Sequence, residues 1–529
     1  MLKKLLSYNE KILILVIFAF SLLLNQYYAN RGAFPIESFA HFDIAYRILE
    51  GDKPFEDYWL VSGLSIDYVQ AFFFKIFGIN FQSYVLQASL FNGLLSILTF
   101  YILKHFKLNI YQCFFYSISF GILAYTASGT LYVDQHASLL CLLSIYILIM
   151  LFRTERKIHL ILLPIVCGIA FFTKPAPSVY VILSIIFIIS VYIIDKKKFG
   201  WLFYLSGSSF LFLILCLIFL KIQNIQFSSF FEQYILFASS VGKERFADLN
   251  FSLKRIVFDF KFIYLAFLPI LIVNFIQIKN YRSKEENKKF YYSLSLLLLI
   301  ISLIFHQINT KNQEFIFFLI PILCAFSNLY LDIFNLKTKR NFSIFLMIFC
   351  LFVTVKYHFR FNEERRFHEM SNINFDLSED AKKIDIKLSG LKWITPLFPN
   401  NPKKEIQLIN EAIDILKKDK RKKIVLTNYS FLSSVLLENL NSPSRWYIPG
   451  GAVYPSEINK HFEKYKKFLI KLINKKNISV IYIIAPVKNQ ELYRYISSSC
   501  FAESNITDIL KKLEIKKCDE INKPSYLSW

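Results

Sequence analysis

Ten ionisable residues crowd into one short stretch of an otherwise apolar chain: Glu37, His41, Asp43, Arg47, Glu50, Asp52, Lys53, Glu56, Asp57 and Asp67. A segment of this kind can do proton chemistry, because a carboxylate partly buried against an apolar surface has its pKa raised and accepts protons more readily. Ser38 to Leu49 has the spacing of a short amphipathic helix, with Phe39, Phe42, Tyr46 and Leu49 on one side. That spacing predicts a helix lying along a membrane surface, with Asp43 at the boundary between water and hydrocarbon. Asp43 and Arg47 stand four residues apart, and the plain reading is an exposed ion pair worth about 0.3 to 0.5 kcal/mol. Asp57 follows the helix breakers Gly51 and Pro54, where an Asp commonly bonds its own backbone. Ser65 to Gly78 is a second candidate surface helix. Far downstream, Arg445, Trp446 and Tyr447 centre a turn-rich loop from Asn441 to Gly451. Aromatic faces and an Arg fork there can grip a sugar or a carboxylate, or simply settle against their neighbours. No Cys/His spacing resembles a zinc site.

Composition says what must position these residues. The chain has 529 residues, 55% of them hydrophobic, and 62 Lys and Arg against 39 Asp and Glu, a net charge of +23. Its mean hydropathy is +0.40. Those values exclude a disordered chain, a collagen-like chain and an ordinary soluble enzyme, and point to a polytopic α-helical membrane protein with membrane lipid as partner. The basic excess argues for cytoplasmic loops rather than for nucleic acid. Eleven apolar runs are long enough to be considered as spans: 11–29, 82–103, 110–126, 131–151, 158–173, 178–194, 201–220, 259–277, 291–307, 314–332 and 342–356. Basic residues recur in every second connection, among them Lys3 and Lys4, Lys104 and Lys107, Arg153 and Arg156, Lys196 to Lys198, Lys288 and Lys289, and Lys337 and Lys339. The positive-inside rule then places the N-terminus in the cytoplasm and, with an odd number of spans, the C-terminus outside. Asn25 to Tyr28 stand where a cleavage site would need small residues, so the first run is expected to stay as an anchor.

Outside the lipid remain 30–81, 221–258 and everything after 356. In the tail, Ile406, Ile409, Ile413 and Leu416 recur at helical spacing, as do Ile458, Phe462, Tyr465, Leu469 and Leu472. Ile424 to Leu426 and Ile478 to Ile484 are short β-branched runs. Strand, helix and strand predict a small α/β domain with a parallel pair and a right-handed crossover, spanning 357–529 on the outer face. Cys500 and Cys518 lie in this tail, and pairing or two free thiols are equally open; the other six cysteines fall in the spans.

The motifs carry a resemblance. The opening helix, then Asp43-Ile-Ala-Tyr46, Gly51-Asp-Lys-Pro-Phe-Glu-Asp57-Tyr-Trp59 and Phe73-Phe-Lys-Ile-Phe-Gly78, resembles the first loop of the GT-C glycosyltransferases. The nearest kin look like the bacterial dolichyl-phosphate-mannose-protein mannosyltransferase-like enzymes, which include lipopolysaccharide-modifying and O-antigen sugar transferases. Leu131-Tyr-Val-Asp134-Gln-His136-Ala137, Gly168-Ile-Ala-Phe-Phe-Thr-Lys174-Pro and Asn312-Gln-Glu314 leading to Leu319-Ile-Pro321 add to it. The likeness covers roughly residues 1 to 350, and makes 1–356 a GT-C-like transmembrane domain.

That resemblance implies a reaction and assigns parts. A sugar carried on a polyprenyl phosphate is attacked by an acceptor hydroxyl of a glycan, lipid or protein, with inversion, and the lipid phosphate leaves. Asp43 stands at the position of the family's base, within reach of the hydroxyl proton. Cations near the leaving phosphate lower the barrier. Lys174 is the leading phosphate partner, with Arg245 and Lys243 behind it. The plain alternative for Lys174 is a snorkelling lysine at a helix end. Asp57, Asp134, His136 and Glu314 are further candidates for substrate contact, with capping and interface solvation as the plain reading of Asp134 and His136. Many relatives carry a lysine-bearing turn after the position of Asp57, whereas Val61-Ser-Gly-Leu-Ser65 stands here, so the phosphate role falls more heavily on Lys174 or Arg245. No cofactor is expected, the lipid-linked sugar being a substrate, and a metal requirement stays open. The rival classes are a transporter or lipid-linked glycan flippase, and an O-antigen polymerase or ligase. The expected address is the bacterial inner membrane.

Overall fold

The computed structural model describes residues 8–247, 252–277, 284–310, 316–447 and 453–522. The chain divides into two compact units, one of Met1–Ala29, Val85–Ile218 and Arg245–Asn372, the other of Asn30–Tyr84, Phe219–Glu244 and Ile373–Trp529. The expected boundary at 356 falls inside the helix Leu336–His358, and the first loop belongs with the tail.

Among the described residues, eight helices are long and apolar enough to cross a membrane: Asn9–Ala29, Phe81–His105, Ile110–Ala127, Val133–Thr154, Pro175–Lys196, Gly200–Ile222, Lys288–Thr310 and Leu336–His368. Three shorter apolar helices, Lys157–Thr173, Lys261–Ile276 and Leu319–Ile333, coincide with the remaining runs. The chain is a multi-pass helical membrane protein.

Helices of the first unit are joined by small and polar side chains, as lipid-embedded helices commonly are. Asn25 donates to Ser89 Oγ at 2.9 Å and to the Gly129 carbonyl at 3.0 Å, and Asn92 donates to the Gly121 carbonyl at 3.0 Å. Gly121 is required by this approach, since a Cβ there would sit 2.3 Å from Ser21 Oγ.

The second unit is built around a sheet. A two-stranded antiparallel piece, β1 (Glu379–Asp380) and β2 (Lys392–Trp393), precedes a four-stranded sheet of β3 (Lys423–Leu426), β4 (Val480–Ile484), β5 (Phe501–Asn505) and β6 (Leu510–Ile515) in the order β3-β4-β6-β5. β3 and β4 are parallel, as the strand-helix-strand pattern predicts, with the helix Phe462–Lys475 between them in the chain. β6 pairs antiparallel with both β4 and β5, so the sheet is mixed. Ile458, expected on the helix, lies before it and is 89% exposed; the Asn459 side chain bonds the His461 N–H and closes a turn there. A disulfide joins Cys500 to Cys518.

The first loop enters this core. Its helices are Pro35–Ser38, Phe42–Leu49 and Leu64–Phe77. The single surface helix expected over 38–49 is interrupted at 39–41, and its apolar face does not meet lipid. Phe39, Phe42 and Tyr46 are buried in the unit, with Phe39 against Trp393 and Phe431 and Phe42 against Phe74 and Tyr84. Trp59 goes further, its ring meeting Phe237, Tyr465 and Phe468 edge-on at 5.6, 5.3 and 5.7 Å while its backbone N–H donates to the Pro443 carbonyl. Trp59→Ala is expected to destabilise this unit by about 3 to 5 kcal/mol, read as lost protease resistance and a lowered thermal midpoint. A cost under about 1 kcal/mol would show that the loop adds little to the core.

Candidate functional site

Asp43 stands in the first turn of Phe42–Leu49 and is buried, 9% exposed. Its backbone N–H donates to the Ser430 carbonyl at 3.0 Å. Its carboxylate accepts the Ser433 N–H at 3.2 Å and the Ser434 N–H at 3.3 Å. Burial pushes its pKa up to about 6, and the Ser433 and Ser434 hydrogen bonds and the Arg47 charge only partly oppose this. A cavity of about 20 Å³ beside it is lined by Arg47, Thr427, Ser430, Ser442 and Arg445 among others. That is room for one water molecule.

The expected Asp43–Arg47 ion pair is replaced by a different arrangement. Arg47 Nε donates to Asp52 at 2.8 Å, its other nitrogens reach the Ser442 and Asp57 carbonyls, and its guanidinium lies 4.8 Å from the Tyr58 ring. Asp57 accepts the Lys53 N–H at 2.9 Å, the turn expected of it, and also pairs with Lys475 at 2.8 Å and Lys476 at 3.2 Å. Burial would raise its pKa, but the Lys475 and Lys53 hydrogen bonds and the Lys476 charge hold it below the usual range. Asp57 thus ties the loop to the tail helix.

A second buried cluster was not singled out from the sequence. Asp67 binds His41 Nδ1 at 2.6 Å and also Arg445, all three almost fully buried. Burial, helped by the Arg445 charge and opposed by Asp67, lowers the His41 pKa to about 4. Gly63 permits the approach: its φ is +86° and a Cβ would lie 2.5 Å from an Arg445 nitrogen and 2.8 Å from His41. It sits within Val61–Ser65, where the chain departs from the family's turn. Arg445 therefore faces a carboxylate of its own chain, and Tyr447 is buried.

In the first unit the structure brings together three of the expected residues. Lys174, following the helix Lys157–Thr173, places Nζ 2.6 Å from both oxygens of Asp134 in the first turn of Val133–Thr154. His306, from Lys284–Thr310, adds Nε2 at 2.7 Å from Asp134. Arg245 lies close enough to His306 to act on it electrostatically. Lys174 and Asp134 form a close ion pair, and Arg245 adds a second cation near it. Lys174 is 20% exposed and reaches the cluster's edge, while Asp134 is 3% exposed. His136 instead stacks on Phe91 at 4.1 Å and meets the Tyr125 hydroxyl at 3.3 Å. Lys243 is exposed in the second unit, and Glu314 lies outside the described residues. His306 was missed; the signal was available as His306, Gln307 and Asn309, polar residues ending an apolar run. Among the described residues no group of three or more His, Cys, Asp or Glu could hold a metal.

No family model matches the chain, and no curated protein matches it.

Two expectations follow from this geometry. Lys174→Ala should destabilise by about 3 to 5 kcal/mol, because it leaves the buried Asp134 without its ammonium partner. Asp134→Asn in the same chain should recover more than half of that in thermal unfolding, whereas simple additivity would show the pair uncoupled. Asp43, with a carboxyl pKa of about 6 against an ordinary 3.8, contributes stability that is present below about pH 4 and lost as pH rises through 6. Asp43→Asn should therefore gain on wild type by up to about 3 kcal/mol between pH 4 and pH 7. A gap independent of pH would show that the carboxylate is not strained by burial.

Proposed function

We propose that the chain is an inverting glycosyltransferase of the bacterial inner membrane. It moves a sugar from a polyprenyl-phosphate carrier to an acceptor hydroxyl of a glycan, lipid or protein, in lipopolysaccharide or other cell-surface glycan modification. The observation that carries this reading is Asp43, a carboxylate on the first extramembrane loop, buried beside polar and cationic side chains, with a pKa of about 6. Such a group is ionised at neutral pH and basic enough to take a proton. In the transfer, the acceptor oxygen bonds to the anomeric carbon, its proton passes to Asp43, and the bond to the carrier phosphate breaks. The acceptor reaches Asp43 once the segment 430–434 moves off its oxygens, since the adjoining cavity holds only a water. Lys174 and Arg245 are assigned to the carrier phosphate, a role supported by the nearness of the two cations to one another around Asp134 and His306.

The same reading takes all eleven apolar helices as crossings, with the N-terminus cytoplasmic and the tail periplasmic. The alternation of basic connections supports that orientation. The Cys500–Cys518 disulfide agrees with an oxidising compartment. The helix Leu64–Phe77 exposes Val69, Phe72, Ile76 and Phe77, an apolar face suited to the membrane interface. A second reading, an ion-coupled transporter or lipid-linked glycan flippase, draws on the buried Asp134 and His306 with Lys174 at their edge, since charged groups inside helical membrane units often mark ion paths.

Mass spectrometry of surface glycans from a deletion strain tests the proposal. Wild-type protein should restore a missing sugar, and Asp43→Asn should fail to, with transfer reduced at least about 100-fold while membrane insertion is kept. Full restoration by the variant would reject Asp43 as the base.

A further inference from the structure

Five tripeptides in the chain have the form Asn-x-Ser/Thr, the acceptor pattern for attachment of a glycan to an asparagine amide: Asn250-Phe-Ser252, Asn341-Phe-Ser343, Asn428-Tyr-Ser430, Asn477-Ile-Ser479 and Asn505-Ile-Thr507. Asn250 lies outside the described residues. Local structure separates the other four. Asn341 lies inside the helix Leu336–His358, on a basic connection expected in the cytoplasm. Asn428 is buried, its amide donating to the Tyr447 carbonyl and its oxygen accepting the Tyr447 N–H. Asn477 leads straight into β4, with Ile478 buried and the Ser479 N–H bonded to the Lys422 carbonyl. Asn505 differs. It is exposed, it ends β5, which lies at the edge of the four-stranded sheet, and it opens the hairpin connection 506–509. Thr507 Oγ1 accepts the Ile509 and Leu510 N–H groups at 3.3 and 3.1 Å, bonds that do not use its own hydroxyl hydrogen. A hollow of about 400 Å³ opens beside Asn505. Asn505 on β5, Lys511 on β6 and Ile483 on β4 stand in one cross-strand row, so their side chains share a face of the sheet. Val487 and Ile509 extend the apolar floor of the hollow, and Thr507 and Asp508 add polar groups at its rim.

We propose that Asn505 is an N-glycosylation acceptor and that the first sugar of the attached glycan seats in the adjoining hollow. The donor is a glycan carried on a lipid phosphate, and an asparagine-directed transferase acts on this chain in trans. The Asn505 amide nitrogen bonds to the anomeric carbon, and the bond from that carbon to the carrier oxygen breaks. The carrier phosphate leaves with the electron pair, and the amide proton passes to a base of the transferase. A hairpin tip on an edge strand suits this chemistry, because drawing 505–509 into an extended shape disturbs the end of the sheet and not its centre. The hollow has the volume of a small-ligand site. Its mixed lining suits a pyranose ring, whose carbons can cover Ile483 and Val487 while its hydroxyls reach Thr507, Asp508 and Lys511. The inference rests on the reading that places the tail outside the cytoplasm, where Asn-x-Thr turns meet such transferases.

The full chain is purified from membranes of its native host, and the peptide bearing Asn505 is sequenced by mass spectrometry. A glycan mass is expected on Asn505 in more than about half of the molecules. Thr507→Ala should lower that occupancy at least about ten-fold, and Thr507→Ser should keep most of it, because the pattern needs only the hydroxyl. Hydrogen exchange over 505–511 should be at least about five-fold slower in the glycosylated chain than in Asn505→Gln. Equal exchange would remove the seat in the hollow. In parallel, a reporter that works only outside the cytoplasm is fused after Trp529. A bare Asn505 with an active reporter overturns the proposal and leaves the orientation standing, whereas a silent reporter overturns both. Glycan found on Asn477 in place of Asn505, or occupancy unmoved by Thr507→Ala, also overturns it. None of these readouts requires sugar transfer by this chain, so failure here leaves the role of Asp43 untouched, and the reverse.

Discussion

The segment 30–84 does not cover all of its own aromatic side chains, and the rest of the second unit depends on how that is solved. The tail covers Phe39 with Trp393 and Phe431 and Trp59 with Tyr465 and Phe468, while Phe42 packs on Phe74 and Tyr84 of the loop itself. Trp59 thereby joins one hydrophobic core with Tyr465, Leu469 and Ile481 of the tail. The segment 219–244 closes it from a third stretch of chain through Phe237 and through Gln233, which accepts the Leu60 N–H and donates to the Phe55 carbonyl.

Burying that aromatic surface carries charges inside with it. Asp52 and Asp57 answer to Arg47, Lys475 and Lys476, and Asp67 answers to His41 and Arg445. Pairs of this kind offset their own desolvation and little more, so their value lies in register rather than in raw stability. They allow only one seating of the loop against the tail helix, because a shift of one residue would leave a carboxylate buried and unpaired. Asp43 differs from the others. Its partners are neutral N–H groups, and burial outweighs them.

Much of this was legible and some of it was not, for identifiable reasons. Apolar runs announced the membrane helices because lipid permits few alternatives to a long apolar helix. The β3, helix and β4 unit was legible because two short β-branched runs, buried along their whole length, flank a stretch of period-3.6 spacing. The short strands β5 and β6 escaped because their sequences, Phe-Ala-Glu-Ser-Asn and Leu-Lys-Lys-Leu-Glu-Ile, are too polar to show alternation. Amphipathic spacing at 38–49 picked out Phe39, Phe42 and Tyr46, which are buried, but also Leu49, which is 36% exposed, and spacing cannot say whether lipid or protein covers a face. Lys174 and Asp134 could each be noticed, yet their contact spans 40 residues and two helix ends, and His306 lies 172 residues from Asp134.

The basicity of Asp43 in the proposed transfer depends on what fills the space when segment 430–434 moves away. Losing the Ser433 and Ser434 N–H groups would raise its pKa, since both favour the charged form. Water in their place would lower it by restoring hydration. An acceptor that fills the opened space excludes that water while offering its own hydroxyl, so the loss of the N–H groups goes uncompensated and the carboxylate becomes a stronger base. With water alone it weakens. The same burial that makes Asp43 costly to the fold at neutral pH would thus be expressed as proton affinity when the acceptor is seated, which ties proton removal to occupancy rather than to mere opening.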